Sequence, residues 1–495
     1  MNYEIISDKP KCFCGVFGIF GSPSSSLKTY YGLHALQHRG QEACGIVTKN
    51  VSEEGKSIFL IHKGEGLVSE VFGDSSILSD ELKGNSAIGH NRYSTTGSSK
   101  SRKNIQPFVV NYRMGNLAVA HNGNLTNAKV LREELVNEGA IFQTTSDTEV
   151  ILHLIARSRL DDQIDQVNEA ISRIEGAYSL VILTDDKLIA ARDPNGFRPL
   201  SIGKLNDAFM IASETCAFDI LSADFLREVE PGEIVVVNSN TLITGDIKSY
   251  PINGNEVKKK HCVFEYIYFS RPDSFIFGHN VDKIRRRLGK ILAQNHPVLK
   301  ENDDKVIVIS VPDSSNTIAM GYQSELEKLG VNCKLEIGLI RSHYIGRTFI
   351  QPGQSNREIS VRIKFNTVKG VLEGRTVVIV DDSIVRGTTS RQLVKLIRNA
   401  NPKSIHFRIS SPTITHPCFY GMDFPSKDEL IANRCDSDIE VIREYLAVDS
   451  LEYLTIDEML EAVSEAGTGN FCHACFSGDY PIPVDVNFKK EIYEV

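Results

Sequence analysis

The sequence predicts two successive folds: an α+β layered domain, then an α/β domain built on a parallel sheet, with a helical segment at the C-terminus. Three observations predict them. Up to about residue 240 short apolar or alternating runs outnumber helical stretches without regular alternation. After 280 the rhythm becomes strand, helix, strand. Between 426 and 466 three Ser/Thr…Glu patterns each open an apolar-periodic stretch.

In the first half, strands are expected at Cys14–Phe20, Ile58–His62, Ala87–His90, Leu117–Ala120, Ser179–Leu183, Phe209–Ala212 and Ile234–Val237. Helices are expected near 127–137, 147–157 and 163–174. The polar, turn-rich run 238–262 reads as the end of one domain and a connection. Beyond it Val306–Val311, Thr376–Val380 and Ser404–Ser410 read as buried strands. Thr317–Leu329 and about 389–400 read as helices, the second ended by Asn401-Pro402. The capping patterns are Ser426…Glu429, Ser437…Glu440 and Thr455…Glu458. Domain bounds follow at 14–245, 262–425 and 426–495, after a short leader at 1–13.

Composition excludes several classes. The 495 residues carry 55 Lys and Arg against 63 Asp and Glu, a net charge of −8, with 41% hydrophobic and 24% charged residues. Those are globular proportions, with no electrostatic reason to seek nucleic acid or an anionic membrane. No apolar run approaches a membrane span, and MNYEIISDKPKC lacks the apolar core of an export signal. The expected location is the cytoplasm, where the ten cysteines are not expected to pair as disulfides. Lys258–Lys260 and Arg285–Arg287 read as solvated faces, because no aromatics interleave with them.

The most specific segment is VVIVDDSIVRGTTSRQL, residues 377–393. A buried strand delivers Asp381 and Asp382 to its C-terminal end, where open α/β sheets bind ligands. Gly387 allows a tight turn, and Thr388, Thr389 and Ser390 precede a helix whose backbone N–H groups make a phosphate cradle. Paired acids beside a phosphate suit sugar hydroxyls or Mg²⁺.

The other end offers different chemistry. CGVFGIFG begins at Cys14, and a thiol beside its own α-amine has a built-in base. Arg92, in GHNRYSTTG, presents a fork that fits an α-carboxylate. Asn122 and Gly123, in AHNGNL, can supply a side-chain amide and a backbone N–H to an oxyanion. Asp147 can pair with a substrate ammonium or cap a helix. The pair Cys472 and Cys475, in CHAC, is compatible with zinc, redox chemistry or neither.

These motifs carry resemblances. DDSIVRGTTS resembles the phosphoribosyltransferase signature, with VPDSS (311–315) like its pyrophosphate-side loop and GRTFIQP (346–352) like its flexible loop. On that resemblance Asp381, Asp382, Arg386, Gly387, Thr388, Thr389 and Ser390 bind phosphoribosyl pyrophosphate (PRPP). Ser314, Asp381 and Asp382 would hold one Mg²⁺ per subunit, and Arg347, Thr348 and Gln351 would lie in the closing loop. Residues 14–240, with LQHRGQEACGI, RDPNGFRPL and ASETCAFD, resemble a class II, N-terminal-nucleophile (αββα) glutamine amidotransferase domain. Cys14 is then the nucleophile, Asn122 and Gly123 the oxyanion donors, and Arg39, Arg92, Tyr93, Thr95 and Asp147 the glutamine site. Because Cys14 is not residue one, the resemblance implies removal of 1–13 as a propeptide. Cys12 is followed by Phe rather than Gly, which leaves Cys14 as the match.

The whole chain resembles the amidophosphoribosyltransferase family, whose reaction converts glutamine, PRPP and water to phosphoribosylamine, pyrophosphate and glutamate, the first committed step of purine synthesis. One subgroup carries a propeptide and a [4Fe-4S] cluster, and Cys262, Cys418, Cys472 and Cys475 match its four ligands. A Cys₄ Zn²⁺ site is the alternative. The resemblance further implies an ammonia channel, feedback inhibition by purine nucleotides and a homo-oligomer, a tetramer in this subgroup. Two other readings use the same motifs: another amidotransferase with this glutaminase, and a PRPP-sensing regulator. The second leaves Cys14, Arg92 and Asn122 unexplained.

Overall fold

The computed structural model describes residues 14–93, 102–254, 256–298, 305–342, 364–424, 426–463 and 470–484. Residues 1–13, Thr95, and Arg347, Thr348 and Gln351 lie outside these, so the propeptide and closing-loop expectations do too.

Two antiparallel sheets form the first domain. One runs, in spatial order, Asp224–Glu228, Ser201–Leu205, Ala208–Ala212, Gly15–Phe20, Ser86–Arg92, Ala43–Val51 and Ser57–Glu65. The other runs Lys248–Pro251, Glu233–Asn238, Lys187–Arg192, Gly176–Thr184, Gly115–Leu125 and Phe108–Tyr112. Side chains alternate across each strand and so feed two layers. Val16, Val47 and Ile88 meet Ala118, Val181 and Leu188 between the sheets. Phe17 and Ile19 pack outward with Leu33 and Leu36, around the helix Ser25–Ala35. On the opposite outer face Leu117, Tyr178 and Ile189 cover the helices Ala128–Asn137, Thr148–Arg157 and Gln163–Ser172. The result is helix, sheet, sheet, helix. Gly176–Thr184 is buried along its whole length because both its faces are covered.

Every strand expected in this half is present. Six were not anticipated, among them Ala43–Val51 and Lys187–Arg192, as was the helix Ser25–Ala35. That helix buries Ser25, Ser26, Thr29 and Gly32, so no apolar stripe marks it. The turn-rich run after 238 also holds structure: Ser239–Thr244 is helical and Lys248–Pro251 adds an edge strand to the second sheet, past the boundary expected at 245.

The second domain is a five-stranded parallel sheet, ordered Cys333–Leu335, Val306–Ser310, Thr376–Asp381, Ser404–Ile409 and Ser450–Tyr453. Val306, Val308, Val378 and Val380 pack with the helices Val281–Asn295 and Asn316–Lys328. Ile307, Ile309, Val377 and Ile379 pack with Thr388–Arg398 and Ile439–Leu446. The segment after 426 is therefore more than an appendage. Its strand Ser450–Tyr453 closes one sheet edge, and its helix Ile456–Val463 joins the core formed by Val281–Asn295.

Two local expectations change. Asp438, not Ser437, caps the helix Ile439–Leu446, accepting from the Glu440 and Val441 amides at 2.8 and 3.4 Å. Arg285 is not on a solvated face: it is 1% exposed and donates to the carbonyls of Tyr266 (2.7 Å) and Ser270 (2.8 Å). Arg286 and Lys259 make surface pairs with Asp282 and Glu230, closer to expectation. Among the described residues no helix is long and apolar enough to cross a membrane.

The helices Val281–Asn295 and Asn316–Lys328 touch backbone to backbone. A Cβ on Gly289 would lie 2.0 Å from the Ile318 carbonyl oxygen, and one on Gly321 2.0 Å from that of Arg286. Gly289→Ala is expected to destabilise the transferase domain by about 1–3 kcal/mol, since one helix must move. Chemical denaturation compared with a surface Gly370→Ala control, where nothing lies within 4 Å, checks this.

Candidate active sites

Cys14 precedes the strand Gly15–Phe20, which lies between Ser86–Arg92 and Ala208–Ala212. Its thiol donates to the Tyr93 carbonyl at 3.4 Å, so the end of the neighbouring strand carries Arg92 and Tyr93 to Cys14. Burial pushes the thiol up to about 11, while Arg92 pulls it down and Asp147 adds to the rise. Cys14 is thus a neutral thiol at neutral pH, and it needs a base.

Asn122, expected as an oxyanion donor, reaches this point through Ser213. The Val16 amide donates to the Ser213 hydroxyl at 3.0 Å, and the Asn122 amide donates to the same oxygen at 3.4 Å. Asn122 is fully buried at the end of Gly115–Leu125, followed by Gly123. Asp147 sits at the N-cap position of Thr148–Arg157 without capping it. Its carboxylate instead accepts from the Leu125 amide at 3.0 Å. The capping reading of Asp147 therefore falls. Cys14, Arg92, Tyr93 and Asp147 are thus brought together, and Asn122 joins the Cys14 strand through Ser213.

Arg39 approaches Cys14 from behind. Its Nε donates to the Cys14 carbonyl at 3.3 Å, and its other nitrogens bind Glu214 and Glu265, the latter at 2.7 and 3.1 Å. Glu265 opens the π-helical turn Glu265–Phe269 and also pairs with Arg198 at 3.3 Å. Sequence reading missed Ser213, Glu214, Arg198 and Glu265. Three of these lie inside segments that carried the resemblance, but nothing local marks an acid or base as buried.

Ser314 and Ser315 begin the second site. Their hydroxyls donate to Asp382 and Asp381, the Ser315 bond measuring 2.8 Å. Asp381 ends the strand Thr376–Asp381, and Asp382 is wholly buried beside it. Gly387, at φ 74°, takes the N-cap position of Thr388–Arg398, leaving Thr388 exposed and Thr389 half-exposed. Arg386 pairs with Glu429 at 3.2 Å. Two carboxylates and serine hydroxyls are a hard-oxygen donor set that suits Mg²⁺ with ligand oxygens completing it.

The four candidate cluster cysteines are neighbours. Cys262 pairs in register with Cys472 where His261–Cys262 and Phe471–Cys472 form a parallel bridge. The Cys475 carbonyl accepts from the Thr415 and His416 amides at 3.0 and 3.1 Å, which brings Cys418 alongside. Burial pushes Cys262 up to about 11 and raises Cys472 and Cys475 further, with the other thiols of the group adding to each rise. A bound metal would relieve that cost. Among the described residues no three His, Cys, Asp or Glu side chains are grouped to hold a single ion.

An N-terminal layered domain with a buried cysteine and oxyanion strand, joined to a parallel sheet with a phosphate cradle, defines a glutamine amidotransferase coupled to a phosphoribosyltransferase. Comparison with known proteins agrees. Residues 90–219 match the glutamine amidotransferase domain family and 279–411 the phosphoribosyl transferase domain family. The chain is 47% identical over 476 residues to amidophosphoribosyltransferase of Bacillus subtilis, covering 95% of this chain and 94% of that one. It is 49% identical over 485 residues to the chloroplastic amidophosphoribosyltransferase 1 of Arabidopsis thaliana, covering 98% and 81%. The B. subtilis glutamine PRPP amidotransferase solved with ADP and GMP superposes with a TM-score of 0.84 at 47% identity, covering 95% of this chain and 98% of that one. The chain belongs to the amidophosphoribosyltransferase family. Its reaction is the glutamine-dependent amination of PRPP, the first step of purine biosynthesis.

Glu214 and Glu265 generate a pH prediction. Burial alone would raise both carboxyls; His38 and Arg39 at Glu214, and Arg39 and Arg198 at Glu265, outweigh it and hold both below the usual range. Depressed acids contribute stability above their unfolded pKa, about 4.3 for Glu, and lose it as pH falls through the folded value. Arg39→Met is expected to destabilise the protein by about 3–5 kcal/mol at pH 7. The gap to wild type should narrow steadily below about pH 4. Denaturant unfolding at pH 7 and at about pH 3 measures it.

Proposed function

We propose the following division of labour. Peptide-bond hydrolysis before Cys14 releases residues 1–13 and frees its α-amine. That amine takes the thiol proton as Cys14 sulfur attacks the glutamine amide carbon. Arg92 holds the substrate carboxylate and Asp147 its ammonium, while Asn122 Nδ2 and the Gly123 N–H bind the oxyanion. Collapse expels ammonia and leaves a thioester; water then attacks it and glutamate departs. The observation that carries this reading is the convergence of Arg92 and Asp147, opposite charges, on one buried thiol.

In the transferase domain the Gly387–Ser390 turn holds the 5′-phosphate and the buried aspartates hold the ribose diol. Ser314, Asp381 and Asp382 would hold Mg²⁺, which when bound stabilises negative charge on departing pyrophosphate. Ammonia from the glutaminase attacks C1 on the face opposite that leaving group. Cys262, Cys418, Cys472 and Cys475 would hold a [4Fe-4S] cluster as a structural fastening between the two domains. A Cys₄ Zn²⁺ site on the same four thiols is the alternative. Purine nucleotides are proposed inhibitors, in keeping with the ADP and GMP bound to the B. subtilis relative. A homotetramer working in the cytoplasm completes the reading.

Cys14→Ala should abolish glutamine-dependent phosphoribosylamine formation and leave the ammonia-dependent reaction within about twofold, since PRPP binding is untouched. Equal loss of both would refute the assignment of Cys14. In the same preparations, intact mass should show wild type lacking residues 1–13 and Cys14→Ala retaining them.

Anaerobically purified protein should contain iron and acid-labile sulfide at about four each per chain. Cys418→Ser should lose both. One zinc per chain with no sulfide would replace the cluster by the alternative.

A further inference from the structure

The oxyanion strand is backed by a turn from the other domain. Gly123 has φ 154°, and a Cβ there would meet the Ala177 carbonyl oxygen at 1.9 Å. On its other side lies Gly421: a Cβ on Gly421 would sit 3.1 Å from the Gly123 carbonyl carbon and 3.4 Å from its Cα. The next residue, Asn124, is buried and donates to the Phe419 carbonyl at 2.9 Å. Arg198 holds the following carbonyl, that of Tyr420, at 2.6 Å, while the Tyr420 ring stacks on Phe197 at 4.4 Å. The turn is thus gripped by the glutaminase domain at two successive carbonyls and presses its glycine onto the oxyanion residue.

An oxyanion donor works only if its N–H points to where negative charge develops, and small displacements matter. Resting on the glutaminase reading above, we propose that Asn124 is a positioning residue for glutamine hydrolysis: by docking the 418–421 turn of the transferase domain against Gly123, it sets the direction of the Gly123 N–H. The glutaminase site is then completed across the domain boundary. Asn124 touches neither the nucleophile nor, in this assignment, the substrate head, so its effect falls on the transition state.

The test uses the full-length, cluster-containing enzyme and Asn124→Leu. Glutamine hydrolysis should lose at least tenfold in kcat with KM within twofold, and ammonia-driven phosphoribosylamine formation should stay within twofold. Glutamate γ-semialdehyde supplies a second readout. The Cys14 S–H adds across its C=O to give a hemithioacetal, with nothing released and its oxygen in the oxyanion position. Its inhibition constant should rise in step with the kcat loss, while that of glutamate, which forms no such adduct, stays within twofold. Gly421→Ala leaves Asn124 in place but adds a methyl against Gly123 and strains the turn at φ 100°, and should show the same pattern. Unchanged kcat and aldehyde affinity in both variants would overturn the proposal. So would parallel loss of the ammonia reaction and of glutamate affinity, which marks a merely structural contact. Failure of wild type to hydrolyse glutamine would instead sink the underlying reading.

Discussion

One buried cation holds the two halves of this molecule together at the point where chemistry begins. Arg39 ties the Cys14 carbonyl to Glu214 of its own domain and to Glu265 of the segment leading into the next. Glu265 also takes Arg198 and the Ser270 hydroxyl, and Ser270's carbonyl takes Arg285. Burial pulls Arg285 down from the ordinary arginine range, and Asp382 heads the charges that oppose it. A line of buried polar groups therefore runs from the Cys14 carbonyl through Arg39, Glu265 and Ser270 to Arg285. Buried ion pairs add little net stability over an apolar packing, but they penalise any other arrangement heavily. Here they specify how one domain sits on the other.

That specification suits the reaction. Ammonia freed far from PRPP would meet water and protonate, so a hydrolase and a transferase working in sequence benefit from a fixed relative position. Backbone geometry says the same from another direction. Cys262 lies at the junction, Cys418 after the last central strand and Cys472 with Cys475 near the end, yet a two-residue parallel bridge and two amides on the Cys475 carbonyl bring them together. The turn that begins at Cys418 then reaches Gly123. The π-helical turn at Glu265–Phe269, a distortion often found at functional sites, sits between the two sites.

Local chemistry was legible in the sequence, and relations between distant segments were not. The Asp381–Ser390 run names its own strand, turn and helix, because an apolar strand, a glycine and three hydroxyls admit few structures. Cys14, Arg92, Asn122 and Asp147 could be picked by residue type and spacing. Arg285 was misread, since a run of three arginines on an amphipathic helix looks solvated until Tyr266 and Ser270 offer carbonyls. Ser25–Ala35 was missed because its buried face is mostly serine, threonine and glycine, with Leu33 and Ala35 only at its end. The strand Ser450–Tyr453 was hidden among capping signals, its place in the sheet decided by long-range pairing with Ser404–Ile409. The resemblance pointed to Arg39, but its bridge to Glu265 across more than two hundred positions was not legible.

The most direct measurement is the ratio of pyrophosphate to glutamate formed by processed enzyme with saturating glutamine, PRPP and Mg²⁺. One pyrophosphate per glutamate is expected, with glutamine hydrolysis rising sharply when PRPP is added. Glutamate released without pyrophosphate, at a rate indifferent to PRPP, would mean that the two sites share a chain but not a reaction.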